Sequence, residues 1–210
     1  HIRISKITPE GLANAAFKSP SWQRPLPNIS FALNYYLHGT NVVGFRVVNI
    51  LIHISTAFLL YFFVKSTICT PALRSRYSNY LWISFFTAAL WLVHPLQTQS
   101  VSYVVQRMNS MAAMFYIMGI YFYIRARQSK LTKYQCIFFS ACLVSSFCAF
   151  MSKENAAMLP ASLVLVEVIF YRDLAAFLCI RKHVLIVTIT AGAVISIGIV
   201  MTKTGMFDFL

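Results

Sequence analysis

The sequence predicts an all-α, polytopic helical membrane protein with about six transmembrane helices and an outer interfacial helix at its N-terminal end. Of its 210 residues, 59% are hydrophobic and only 11% are charged. Soluble domains carry about a quarter of charged residues, and a chain this apolar has too few polar side chains to cover a water-exposed surface. The apolar residues also fall into long runs, which is typical of membrane spans.

Six apolar segments approach the roughly 20 residues that a helix needs to cross a bilayer. We place them near residues 44–64, 80–98, 108–125, 134–151, 156–171 and 184–202. The second and fifth segments are short, and each carries a proline near one end, which membrane helices tolerate where neighbours satisfy the freed carbonyl. The sequence therefore predicts an outward-facing segment over residues 1–43 and a helical bundle over residues 44–210.

Charge differs between the two sets of loops that join these segments. The loops at 65–79, 125–133 and 172–182 together hold ten Lys and Arg residues, whereas the opposite short loops hold only Arg107 and Lys153. Because cytoplasmic loops carry the excess of cations, the ten-cation side is predicted to be cytoplasmic. The net charge of +13 then reflects topology beside a lipid bilayer rather than a nucleic-acid partner.

A short amphipathic helix is predicted in the outward segment. Ile29, Leu33, Tyr36 and Leu37 share one helical face, which suits a helix lying in the outer membrane interface. The preceding residues 24–27, with two prolines, predict a stiff extended lead-in.

A polar stripe runs along the first predicted span. Arg46, Asn49, His53 and Thr56 are spaced by three or four residues and so lie on one helical face. Two interpretations remain open: hydrogen bonds between helices that fix their packing, or a wet cavity that opens outward.

Two further polar segments lie on the predicted outer side. The first follows His94 and contains Gln97, Gln99, Gln106 and Arg107. Arginine binds phosphate through two parallel hydrogen bonds, and glutamine suits sugar hydroxyls. The alternative is an ordinary interfacial cap with an arginine that reaches toward water.

The second polar segment is the tight turn at residues 152–155. In a functional interpretation, Lys153 binds a phosphate and Glu154 acts as an acid, a base or a metal ligand. In the alternative, Ser152 caps the following helix and Glu154 sits near its positive end.

Three blocks together resemble the GT-C superfamily of membrane glycosyltransferases. The blocks are RPLPNISFALNYYLHG with GFRVVNILIH, HPLQTQSVSYVVQRMNSMAAMFY, and SKENAAMLPASLVLVE, and they cover most of residues 24–170. They look closest to bacterial relatives of the transmembrane-and-tetratricopeptide-repeat O-mannosyltransferases. The resemblance implies transfer of a sugar from a polyprenyl-phosphate donor to a protein or glycan acceptor outside the cytoplasm. The membrane would be a bacterial inner membrane, with the active site facing the periplasm.

The resemblance also implies roles for individual residues. Glu154 is the candidate catalytic residue, and Arg107 and Lys153 are the candidates for binding the donor phosphate. The residues expected to bind donor or acceptor are Arg24, Asn49, His53, His94, Gln99, Gln106, Arg107 and Lys153. Gln99 stands where relatives often have Glu, so we assign no metal ligand and no certain cofactor, while a divalent metal remains possible.

The usual catalytic acid of such enzymes lies in a first outer loop, after a first membrane helix. The segment before Arg24 contains no Asp, and Glu10 does not match the expected motif. We therefore expect the general base upstream of His1, and we interpret the chain as a fragment without the first helix or the C-terminal repeats. A lipid-linked glycan flippase or other transporter, and a non-catalytic membrane subunit, are the alternative functions.

Overall fold

The computed structural model of the chain describes residues 4, 6–19 and 21–171. Every regular element within these residues is a helix, so the predicted all-α class is confirmed. The chain divides into two compact units, residues 1–159 and 160–210. The predicted span at 184–202 lies outside the described residues, and the predicted division at residue 43 stays a prediction.

Eight α-helices follow one another along the described chain. They are α1 (Pro9–Phe17), α2 (Pro25–His38), α3 (Val42–Ile68), α4 (Tyr80–Val93), α5 (Thr98–Ser102), α6 (Arg107–Gln128), α7 (Thr132–Ser152) and α8 (Leu159–Val166). Short 3-10 helices occupy Pro95–Gln97, Val104–Gln106 and Glu154–Met158, and α8 continues as a π-helical turn over Glu167–Tyr171.

Three helical stretches of the described chain are long and apolar enough to cross a membrane: Val42–Ile68, Thr132–Ser152 and Glu154–Tyr171. Helix α4 has only 14 residues, which at 1.5 Å per residue is about 21 Å against a hydrocarbon core of about 30 Å. Helix α6 has 22 residues but carries arginines at both ends. The chain is thus a helical membrane protein, and the number of six spans stays a prediction.

Helices α3 and α6 run parallel, which gives the bundle two chemically different ends. At one end, Gln128 Nε2 at the close of α6 donates to the Ser66 carbonyl near the close of α3, at 2.7 Å. At the other end, Arg107 at the start of α6 donates to Asn49 near the start of α3. The cation-rich loops at 65–79 and 125–133 therefore share one end, away from residues 94–107.

Helix α2 begins at Pro25, directly after Arg24. The predicted extended lead-in is therefore wrong at this point. The first four backbone N–H groups of a helix have no acceptor within it, so prolines at its first and third positions cost no hydrogen bond. Of the predicted apolar face, Leu33, Tyr36 and Leu37 are exposed, at 36%, 45% and 70% of their surface. The location of α2 in the membrane interface stays a prediction.

A tight elbow joins α2 to α3. Gly39 ends α2 with φ of 57°, and the Asn41 side chain caps α3 by accepting from the Val43 N–H at 2.9 Å. Gly44 then lies so close to α2 that a Cβ added there would be 2.5 Å from His38 Cγ. A side chain at residue 44 would push the two helices apart.

We expect Gly44→Ala to lower the free energy of unfolding by roughly 1–3 kcal/mol, because an added side chain overpacks a close contact. The measurement is the thermal midpoint of the purified protein in detergent, which should fall. Gly119→Ala is the matched control, because the added Cβ would meet the end of the flexible Leu159 side chain at 3.1 Å. Equal midpoints for the two variants would contradict the close approach at the elbow.

Candidate functional site

The guanidinium of Arg107 is fully buried where α2, α3 and α6 meet. Its Nε donates to Asn49 Oδ1 at 2.8 Å, and its Nη2 donates to Asn34 Oδ1 at 2.7 Å and to the Phe45 carbonyl at 2.9 Å. Its Nη1 donates to the Ser30 hydroxyl at 3.1 Å and to the Ser30 carbonyl at 3.4 Å. These contacts occupy all five N–H donors of the side chain.

Two aromatic rings complete the surroundings of this cation. The guanidinium carbon lies 4.6 Å from the ring centre of Phe31 and 5.6 Å from that of Phe45, both within the range of cation–π attraction. Among the described residues, no carboxylate forms a salt bridge with Arg107. The phosphate of a sugar donor would have to displace one of these acceptors, so phosphate binding by Arg107 stays a prediction. The observed contacts of Arg107 hold helices together.

Asn49 extends the same network into the loop that precedes α6. Its Nδ2 donates to the carbonyls of Val101 and Tyr103, at 3.4 and 3.2 Å. The one side chain therefore ties the 98–106 segment to α3 while it accepts from Arg107.

His53 plays a comparable part at the end of α4. Its Nε2 donates to the Leu92 carbonyl at 3.0 Å, and its ring lies 4.7 Å from that of Trp91. Leu92 would ordinarily accept from Leu96, but the Leu96 N–H bonds instead to His94 Nδ1. His53 thus satisfies a carbonyl that the break at Pro95 leaves without a helical partner.

The polar stripe of α3 is therefore mostly internal. Asn49, His53 and Thr56 are buried and bonded to protein groups, whereas Arg46 is exposed. This arrangement favours hydrogen bonding that fixes helix packing over a wet cavity along the stripe.

An open cleft of about 540 Å³ lies instead between the start of α6 and the turn that follows α7. Lys153 Nζ donates to Asn109 Oδ1 at its mouth, and Asn109 Nδ2 donates to Gln106 Oε1. The lining residues are Asn109, Ala112, Ala113, Tyr116, Ile117, Lys153, Asn155 and Ala156. The lining thus combines an ammonium and two amides with small and apolar side chains.

Next to the cleft, Arg24 and Glu154 form a two-point ion pair. Arg24 Nη2 lies 2.8 Å from Glu154 Oε1, and Arg24 Nε lies 3.2 Å from Oε2. The side chains are 28% and 54% exposed. The pair ties the start of α2 to the turn that carries Lys153.

The predicted site residues thus separate into three groups. Gln106, Lys153, Glu154 and Arg24 gather at or beside the cleft, whereas Asn49, His53 and Arg107 belong to the buried network. His94, which precedes Pro95, and Gln99, in α5, are exposed and do not line the cleft. Sequence reasoning missed Asn109, although its position three residues after Gln106 places both on one helical face.

Comparison with known proteins identifies relatives but no matching family model and no matching solved structure. The chain is 30% identical over 117 residues to protein O-mannosyl-transferase TMTC1 of Mus musculus, which covers 56% of this chain. It is 34% identical over 119 residues to protein O-mannosyl-transferase TMTC4 of Homo sapiens, covering 54% of the chain. The chain is a sequence relative of the protein O-mannosyl-transferases.

A third relative extends the match along more of the chain. Protein O-mannosyl-transferase F38B6.6 of Caenorhabditis elegans is 24% identical over 150 residues, which is 71% of this chain. The chain spans only 11%, 16% and 19% of the lengths of TMTC1, TMTC4 and F38B6.6. These relatives are animal proteins, so they lend no support to a bacterial membrane in particular.

The polar side chains at the cleft do not suit a divalent metal ion as ligands. In the described part of the chain, no three His, Cys, Asp or Glu residues are grouped as metal ligands. The cleft offers an ammonium and amides, and the neighbouring carboxylate of Glu154 is engaged by Arg24. Hard cations prefer several oxygen ligands, carboxylates above all.

We expect Arg107→Lys to destabilise the protein although it keeps the charge. Lysine has three donors and no planar fork, so it leaves buried acceptors unsatisfied, at about 1–3 kcal/mol for each. The measurement is the thermal midpoint in detergent, with Arg46→Lys as the matched control, because Arg46 is an exposed arginine near the start of α3. A midpoint equal to that of the control would show that the five-donor network contributes little.

Proposed function

We propose that this chain is the part of a membrane glycosyltransferase that binds a polyprenyl-phosphate sugar and presents it to an acceptor on the periplasmic or lumenal side. The observation that carries the proposal is the cleft beside Lys153, at the end of the bundle away from the cation-rich loops. The sequence relationship to proteins named as O-mannosyl-transferases supports the same reaction class.

The composition of the cleft fits a lipid-linked donor. Lys153, Asn109 and Asn155 supply polar groups at the mouth, and Ala112 and Ile117 belong to a small, apolar wall along α6. Lysine binds phosphate as a point charge, and a volume of about 540 Å³ falls within the usual range for small-ligand sites. The phosphate would sit at Lys153, with the first isoprene units along α6.

In the proposed reaction, an acceptor hydroxyl oxygen attacks the anomeric carbon while the bond from that carbon to the phosphate oxygen breaks. Polyprenyl phosphate leaves, and a base takes the hydroxyl proton. Lys153 stabilises the negative charge that develops on the leaving phosphate, as a cation held in place beside the reacting group does. The relatives' names make mannose and a protein hydroxyl the first donor sugar and acceptor to test.

Glu154 serves in this proposal as a positioning residue. A carboxylate that accepts two hydrogen bonds from Arg24 is a weak base, because protonating it would break charge-assisted bonds. Glu154 therefore holds Arg24 beside the cleft, and the base for the acceptor is supplied elsewhere in the complete protein.

In the part of the chain that the structure describes, the buried hydroxyl groups favour transfer over transport. A flippase requires polar groups that line a path through the bundle. Thr56, Ser84 and Ser145 are buried, but each hydroxyl donates to the backbone carbonyl four residues earlier in its own helix. Such hydroxyls are satisfied locally and do not form a path.

We expect Lys153→Ala in the complete protein to reduce sugar transfer at least tenfold, equivalent to about 1.4 kcal/mol of lost transition-state stabilisation. Lys133→Ala removes the same charge from an exposed position at the other end of the bundle and should leave transfer unchanged. The measurement is the initial rate from a polyprenyl-phosphate sugar in proteoliposomes. Near-normal transfer by Lys153→Ala would refute the phosphate role.

The proposed orientation has its own test. Residues 78 and 99 are exposed at opposite ends of the bundle. In intact cells, a membrane-impermeant maleimide should label the Gln99→Cys variant from the outside, and the Ser78→Cys variant only after permeabilisation. Labelling of residue 78 from the outside and of residue 99 only after permeabilisation would reverse the orientation. The protein without added cysteines gives the background.

A further inference from the structure

The mouth of the cleft contains a directional chain of hydrogen bonds. An ammonium group has only donors, so Lys153 requires the Oδ1 atom of Asn109 as its acceptor. The Nδ2 group of Asn109 is then directed to Gln106 and donates to its Oε1 atom. Because the oxygen of Gln106 faces Asn109, its amide nitrogen faces away from Asn109.

We infer that Asn109, itself held by Gln106, is a positioning residue that holds Lys153 at the mouth of the cleft, where the Lys153 ammonium presents N–H donors to a phosphate group. Lys153 retains two further N–H groups after it donates to Asn109. Phosphate oxygens accept hydrogen bonds and do not donate them when ionised. The inference deepens the proposed function and relies on it for the identity of the phosphate's carrier.

The position of Asn109 on the helix makes this role geometrically stable. Residues 106 and 109 are three apart at the start of α6 and therefore neighbours on its surface. Arg107, between them, is fixed by its five hydrogen bonds to α2 and α3. The backbone that carries Asn109 is thus held in place while the Asn109 side chain itself remains exposed.

Two substitutions at this position separate phosphate recognition from simple packing. Asn109→Asp keeps the shape and still accepts from Lys153, but it cannot donate to Gln106, and its negative charge opposes a phosphate. Asn109→Ala removes the chain of hydrogen bonds but leaves the charge of Lys153 available. A purely structural role would make the isosteric Asp variant the milder change, whereas the inferred role makes it the more severe one.

The experiment measures binding of polyprenyl phosphate, without a sugar, to the complete protein in detergent by titration calorimetry. We expect Asn109→Asp to weaken binding at least tenfold, about 1.4 kcal/mol, and Asn109→Ala to weaken it less. Asn79→Asp makes the same chemical change at an exposed residue before α4 and should bind as the unaltered protein does. Unaltered binding by Asn109→Asp, or weaker binding by the Ala variant than by the Asp variant, would overturn the inference.

A parallel titration with inorganic phosphate separates the headgroup from the tail. If inorganic phosphate gives the same ranking of affinities among the variants, the site recognises the phosphate group alone. If the ranking appears with polyprenyl phosphate and not with inorganic phosphate, the site recognises a phosphate held by its lipid. Transfer is measured separately: the expected binding order without sugar transfer by the unaltered protein would sustain the inference and refute the proposed function. Sugar transfer by the unaltered protein together with unaltered binding by Asn109→Asp would support the proposed function and refute the inference.

Discussion

The buried guanidinium of Arg107 is the constraint on which this end of the bundle depends. Removing an arginine from water costs several kcal/mol unless its charge and its donors are satisfied. Here neutral oxygens from α2 and α3, together with the faces of Phe31 and Phe45, replace that water. Because the planar guanidinium of Arg107 bonds to both α2 and α3, neither helix can shift against the start of α6 without leaving a buried N–H donor unpaired.

The first turn of α6 therefore has two functions on two faces. Arg107 points into the junction with α2 and α3, and Asn109, two residues later, faces the cleft. A rotation of about 100° per residue places these side chains on nearly opposite sides of the helix. The internal network and the candidate site are thus joined by a single turn of backbone, which accounts for a polar cleft that is open to solvent and still well positioned.

The apolar runs predicted α3 and α7 closely, whereas α4 ends at Val93, before Pro95, and not at residue 98 as predicted. The partners of Arg107 could not be predicted, because Asn49, Asn34 and Ser30 lie 58, 73 and 77 residues away in sequence. An arginine beside an outer polar loop looks like a ligand-binding group until its acceptors are known. The asparagines of α2 likewise look like the wet face of an interfacial helix, whereas the structure turns them inward and its leucines outward. Only short-range relationships, such as that of Gln106 and Asn109, were accessible from spacing.

Helix α4 has a consequence for the bilayer around the protein. Its 14 residues fall roughly 9 Å short of a typical hydrocarbon core, and such hydrophobic mismatch is relieved by local thinning of the membrane. The segment after α4 continues to the start of α6 and is held to α3 by the hydrogen bond from Asn49 to the Tyr103 carbonyl. Thinning of the leaflet at this end of the bundle would lower lipid headgroups toward the cleft and shorten the distance from the bilayer to Lys153 for the proposed lipid-linked phosphate.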